Sequence, residues 1–155
     1  MYFEWNFEAA EYSLKRALEL NPSLADAWYH WAWWLEMMGD DDEAIAAHEK
    51  LAHLPYWAWV LGQTYAWAGQ PEKALEVLQG YEQESRKDIP LALIYAALGD
   101  VEKVLYWSAQ AREKKLSWSL GLFSYFTATR SLHEDPRIQA EAALYPTPLV
   151  PYPKE

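Results

Sequence analysis

The chain has 155 residues, 52% apolar and 16% aromatic, a composition that can fill one continuous core and lies far from that of disordered segments. It has no cysteine, which excludes a disulfide framework, a zinc knuckle, a thiol nucleophile and thiol redox chemistry. A formal charge of -10 opposes a phosphate backbone, and the thirteen Lys and Arg residues are scattered along the chain, so nucleic acid is not an expected partner. No run approaches eighteen apolar residues, and Met1, Tyr2, Phe3, Glu4 and Trp5 lack the basic start and apolar stretch of a signal peptide. The expectation is a cytoplasmic protein with no membrane partner.

From about Asn6 to Leu20, Ala10, Leu14, Ala17 and Leu18 recur at helical spacing until Asn21-Pro22 stops the helix. Residues 25–38 read as the next helix, ended by Gly39. Asp40 with Glu43 three residues on is a capping-box pattern for an antiparallel mate over 41–53, which halts before Pro55. The same pair is predicted over 56–68 and 71–84, with Pro71 at a first helical position, and again over 89–98 and 101–114. Residues 122–131 and a helix over 136–144, with Asp135 as its cap and Pro136 at its first position, follow as a closing segment. From Tyr145 to Glu155, prolines 146, 148, 151 and 153 forbid a helix and favour an extended path suited to aromatic grooves.

Three of these elements obey one grammar. Gly39, Gly69 and Gly99 stand thirty residues apart, with Leu35, Tyr65 and Tyr95 four before them and Ala44, Ala74 and Val104 five after. A glycine that ends one helix in the left-handed conformation, followed by a residue that starts the next, at a period of 20 to 50 residues, signals a helical solenoid. The resulting plan is a half-unit over 6–24, units over 25–54, 55–84 and 85–114, a cap over 115–144 and a Pro-rich tail over 145–155. Terminal units of a solenoid need capping. Tyr2, Phe3, Trp5 and Phe7 are expected to fill the groove left by the missing first helix, with self-association through these aromatics as the alternative.

Trp28, Trp31, Ala32, Leu35, Gly39, Ala44 and Leu51 in the first full unit, and Leu61, Gly62, Tyr65, Gly69, Ala74 and Leu78 in the second, resemble the tetratricopeptide repeat pattern. Leu91, Ala92, Tyr95, Gly99 and Val104 keep a weaker version, and Ala10, Leu14, Ala17 and Pro22 mark the half-unit. The resemblance implies an all-α, right-handed solenoid of helical hairpins. The family's 34-residue period exceeds the spacing here, so tighter links between units are expected. Trp5-Asn6-Phe7, Arg16 to Pro22 and Asp135-Pro136-Arg137 also look like the opening and closing of repeat arrays in bacterial signalling and transcription regulators.

The resemblance further implies that first helices line a concave side and that five of their positions face a bound peptide. Those are Asp26, Tyr29, Trp33, Glu36 and Met37 in the first unit, and Tyr56, Trp59, Gln63, Ala66 and Trp67 in the second. The lysine, asparagine and arginine that grip a terminal carboxylate in one version of the family are absent there. Aromatic area with acidic neighbours suits an apolar or basic peptide. Among the aromatics, Trp28 and Trp31 are assigned to the core, Trp33 and Trp59 to ligand contact, Trp34 to the half-unit, and Trp107 and Trp118 to the C-terminal core.

Catalytic and metal chemistry is not expected. His30, His48, His53 and His133 have no metal-site spacing, and Ser131, His133 and Asp135 sit too close in sequence to form a triad. The acidic run from Asp40 to Glu43 fits a helix start, and no Gly-rich phosphate loop occurs. No cofactor is implied. The expected function is a non-catalytic module binding a protein or peptide. The alternatives are a small-molecule receptor with a closed pocket between Trp33 and Trp59, and a homo-oligomer built through the aromatic ends.

Overall fold

The computed structural model describes residues 6–54, 57–81, 87–115 and 127–145. All regular structure among them is helical: α1 (Phe7–Leu20), α2 (Ala25–Met38), α3 (Asp41–Glu49), α4 (Val60–Trp67), α5 (Pro71–Tyr81), α6 (Asp88–Ala97), α7 (Val101–Glu113), a 3-10 helix (Thr127–Leu132) and α8 (Pro136–Ala142). The helices α2/α3, α4/α5 and α6/α7 form three hairpins stacked in series, preceded by α1 against α2. This is the hairpin solenoid expected from the glycine spacing.

Each hairpin turns at its glycine. Gly39, Gly69 and Gly99 have φ of 81°, 71° and 78°, the left-handed region that costs a side-chain-bearing residue about 1–2 kcal/mol. Two hydrogen bonds close every turn. Asp40, Gln70 and Asp100 donate their amides to Leu35, Tyr65 and Tyr95 at 3.0, 2.7 and 2.9 Å, and the glycine amides reach Glu36, Ala66 and Ala96 at 3.3, 3.2 and 3.0 Å. Carbonyls orphaned at the end of the first helix are thereby satisfied. Ala44, Ala74 and Val104, one turn into each second helix, are 0% exposed. Their small side chains let the two rods meet.

Several boundaries differ from those read in the sequence. α3 ends at Glu49 instead of continuing to 53, and α4 begins at Val60 instead of 56. Between them the backbone runs through i→i+3 bonds, including Leu51 to His48 (2.8 Å), Leu54 to Leu51 (2.9 Å), Trp57 to Leu54 (2.9 Å) and Val60 to Trp57 (3.0 Å). Pro55 lacks an amide proton and disfavours helical geometry at Leu54, so the chain links the units with tight turns. Asp40 makes no side-chain capping bond, which corrects the capping-box expectation. Asp100 and Asp135 do cap, accepting from the amides of Lys103 (3.1 Å) and Arg137 (2.8 Å). Within the expected helix 122–131, the described part is 3-10.

The stack closes at its C-terminal end with the 3-10 helix packed on α6 and α8 packed on α7. The Tyr145 hydroxyl donates to the Ser108 carbonyl at 3.1 Å, Arg112 Nε donates to Glu141 at 3.4 Å, and Arg137 bridges to Glu102. Burial, with the neighbouring Glu141 carboxylate, pushes the Tyr145 hydroxyl up to about 12, so it remains a donor at neutral pH. Lys114 Nζ clamps both oxygens of the buried Asp88 at 2.9 and 2.7 Å, tying the end of α7 to the start of α6. At the other end, Trp34 Nε1 donates to the Phe7 carbonyl at 3.0 Å and Trp31 stacks on Trp34 with ring centres 5.0 Å apart. Trp34 therefore does pack on the half-unit. Tyr2, Phe3, Trp5, Tyr56, Trp118 and residues 146–155 lie outside the described residues.

A Cβ on Gly69 would meet nothing within 4 Å, so the backbone angle alone makes the position intolerant. Gly69→Val should lower stability in urea by about 1–2 kcal/mol, whereas Gly69→Asn, which tolerates the left-handed region, should lose clearly less. Equal losses for the two variants would refute a turn governed by φ.

Candidate interaction face

The first helices α2, α4 and α6 lie side by side. Tyr29 of α2 meets Trp57 and Trp59 with ring centres 4.8 and 6.5 Å apart, and a turn or two later Glu36 meets Gln63 and Thr64. The paired positions advance together, so α2 and α4 run parallel. α4 and α6 come closer still. A Cβ on Gly62 would sit 2.8 Å from Ile94 Cδ1 and 3.0 Å from Val77 Cγ1, so only glycine allows this approach without displacement.

The residues expected to face a ligand, where they are described, divide by burial, with Ala66 among the half-buried ones. Asp26 is exposed, and Tyr29, Trp33, Met37 and Trp67 are half-buried. Trp59, Glu36 and Gln63 are 1%, 4% and 5% exposed, which corrects their assignment to an outward face. The shortened link carries Trp59 inward at the start of α4, where it joins the core with Val60, Leu51 and Ile89. Burial of Trp59 also removes one wall of the closed pocket that the receptor reading requires. Trp107 packs on the main core, as expected.

Glu36 and Gln63 instead belong to an interior polar layer that the sequence reading did not find. Thr64 Oγ1 lies 2.7 Å from Glu36 Oε1, 3.0 Å from the Val60 carbonyl and 2.6 Å from His48 Nδ1, and Gln63 Nε2 reaches Glu36 Oε2 at 3.5 Å. The threonine has one proton, and the carboxylate is its strongest acceptor. Imidazole, hydroxyl and carboxylate thus form one contiguous chain, in which the His48 tautomer sets whether Nδ1 donates to Thr64 or accepts from it. His48 Nδ1 and Glu36 Oε1 are 3.8 Å apart, within ion-pair range. Burial nevertheless pushes the imidazole down to about 3, against a weaker opposing backbone contact from Tyr29. The ring is neutral at pH 7, and the contact is a hydrogen-bonded chain instead of an ion pair. Trp33 Nε1, His48 Nε2 and Gln63 Oε1 are buried without hydrogen-bond partners.

A signal for this layer existed in the repeat register. Glu36 stands three residues before its glycine, where the other units have Ala66 and Ala96; His48 stands nine after, where they have Leu78 and Ser108. Polar residues at positions that are otherwise mostly apolar mark an interior exception. An acidic recess lined by Gly39, Asp40, Asp41, Asp42, Glu43, Ala68 and Gln70 lies at the hairpin turns. Among the described residues, no group of three His, Asp or Glu is placed to hold a metal ion, and no helix is long and apolar enough to cross a membrane.

The chain is an all-α helical-repeat protein, and residues 26–54, which span α2, its glycine turn, α3 and the start of the link, match the family model of the tetratricopeptide repeat. The same turn grammar recurs in α4/α5 and α6/α7. Repeats of this family generally mediate protein–protein interactions and are typically non-catalytic. No curated protein and no solved structure matches the chain.

Trp59→Ala should cost about 3–5 kcal/mol of stability in a denaturant titration; a variant as stable as the parent would return Trp59 to the surface. His48 adds a pH dependence whose sign follows from its lowered value. Unfolding frees the imidazole to bind a proton at its ordinary 6.5, so stability is complete above that pH and falls as pH drops towards 3, by at most ~1.4 kcal/mol per pH unit. His48→Gln should flatten the decline of melting temperature between pH 6.5 and 4. An unchanged slope would assign the acid sensitivity to other groups.

Proposed function

We propose that the chain is a non-catalytic interaction module whose first-helix face, centred on α2 and α4, binds a peptide or protein partner. The observation that carries this reading is the set Tyr29, Trp33, Met37 and Trp67, large apolar side chains left half-buried on the first helices with the exposed Asp26 beside them. Aromatic side chains supply contact area at low entropic cost and dominate the energetics of many interfaces. The family's general role in protein–protein contact supports the assignment. The likeness of the opening and closing motifs to arrays in bacterial regulators supports a place in a regulatory system.

The test is capture from the native host with three baits: the parent protein, Trp33→Ala/Trp67→Ala, and Tyr106→Ala on the exposed side of α7. A partner retained by the parent and by Tyr106→Ala, and depleted at least tenfold by the double variant, is expected. Retention by the double variant with loss in Tyr106→Ala would move the interface to the second-helix side.

A further inference from the structure

The chain covers four of its own aromatic rings with its own lysines. Lys15 lies 5.4 Å from the ring centre of Trp31, Lys73 5.1 Å from Tyr65, Lys87 5.8 Å from Trp107 and Lys103 5.5 Å from Tyr95. Two of these pairs are a repeat feature, with tyrosine four residues before the glycine and lysine four after it. An ammonium over an aromatic face is attracted by the ring quadrupole. Trp33 and Trp67 are different: among the described residues no cation lies over either ring.

The charge of the surrounding elements is equally uneven. α2, α4 and α6 contain no Lys or Arg; their charged residues are Asp26, Glu36 and Asp88, of which Asp88 is neutralised by Lys114. Trp33 stands six residues before its glycine on α2 and Trp67 two before its own on α4, and both side chains are half-buried. His30, whose ring centre is 6.1 Å from that of Trp33, adds no positive charge at pH 7, because desolvation lowers its pKa below the ordinary 6.5 against an opposing pull from Asp26.

We propose that Trp33 and Trp67, half-buried rings on helices without Lys or Arg and with Asp26 exposed on α2, receive lysine or arginine side chains of a protein partner, in the way that the chain's own lysines cover four of its other rings. The inference rests on the interaction-face reading and names the partner's chemistry. The net charge of -10, with Asp26 exposed on α2, draws a basic segment in, and the indole faces then select for the cation itself.

The test uses fluorescence anisotropy with three labelled ten-residue peptides, glycine alternating with arginine, glutamate or leucine. The arginine peptide should bind most tightly. Trp33→Leu/Trp67→Leu keeps apolar bulk but removes the aromatic faces, and should weaken that binding about fivefold or more, while Trp33→Phe/Trp67→Phe should retain most of it. Asp26→Asn should weaken it more than Glu43→Gln, which makes the same charge change at the start of α3. Circular dichroism melts verify that each variant folds; if the leucine pair does not, the comparison of Asp26→Asn with Glu43→Gln decides. Equal affinity for parent and leucine pair, or equal effects of the two charge changes, would reduce the binding to general attraction and overturn the proposal. Preference for the leucine peptide would overturn it while leaving the interaction-face reading standing. Failure of all three peptides would also overturn it, and the capture experiment then judges the face independently.

Discussion

The left-handed glycine turn, closed by two backbone hydrogen bonds and repeated every thirty residues, is the constraint on which the rest of the molecule depends. It reverses the chain within a residue or two, so the second helix must lie back along the first. The small residue five positions later then determines how closely the rods approach, and Ala44, Ala74 and Val104 are wholly buried there. Three copies produce three similar hairpins whose apolar faces are covered only by neighbours. Stacking follows from that unmet burial, and with it a row of first helices on one side.

Stacking is not uniform along the row. α4 meets α6 through apolar side chains at a distance only Gly62 permits, whereas α2 meets α4 through Tyr29, Trp57 and the Glu36–Thr64–His48 layer. The buried apolar residues accordingly fall into two clusters, one around Ala32, Leu35, Ala44 and Ala47 and the other running from Leu51 to Tyr145. A buried polar layer contributes less than apolar packing unless every group is paired, and here His48 Nε2 and Gln63 Oε1 are not. At the joint between the first and second hairpins, His48 is held neutral by burial and takes up a proton on unfolding only below its ordinary 6.5, so its contribution to stability falls in acid.

The aromatic content resolves into distinct uses. Trp31 and Trp34 seal the first hairpin against α1, Trp59 fills the interior, and Tyr65 and Tyr95 sit beneath lysines from their own second helices. Trp33 and Trp67 remain on helices that carry no basic residue. In a protein with net charge -10, the absence of Lys and Arg from α2, α4 and α6 is the basis for proposing a basic partner there.

The helix order, the hairpin turns, the small buried residues and the end of the array were legible in the sequence, because glycine φ preference, proline geometry and helical periodicity are local physics. Asp26, Trp33 and Trp67 were read as outward for the same reason, and the structure leaves Asp26 exposed and the two indoles half-buried. Tertiary structure alone decided that Trp59, Glu36 and Gln63 turn inward. Their direction depends on how far the 50–59 link unwinds and on how closely α4 approaches α2, and neither is set by a residue's own neighbours in the chain. Polar substitutions at Glu36 and His48 were visible against the repeat register, but their meaning appeared only when a threonine from the next hairpin came within hydrogen-bonding distance of both.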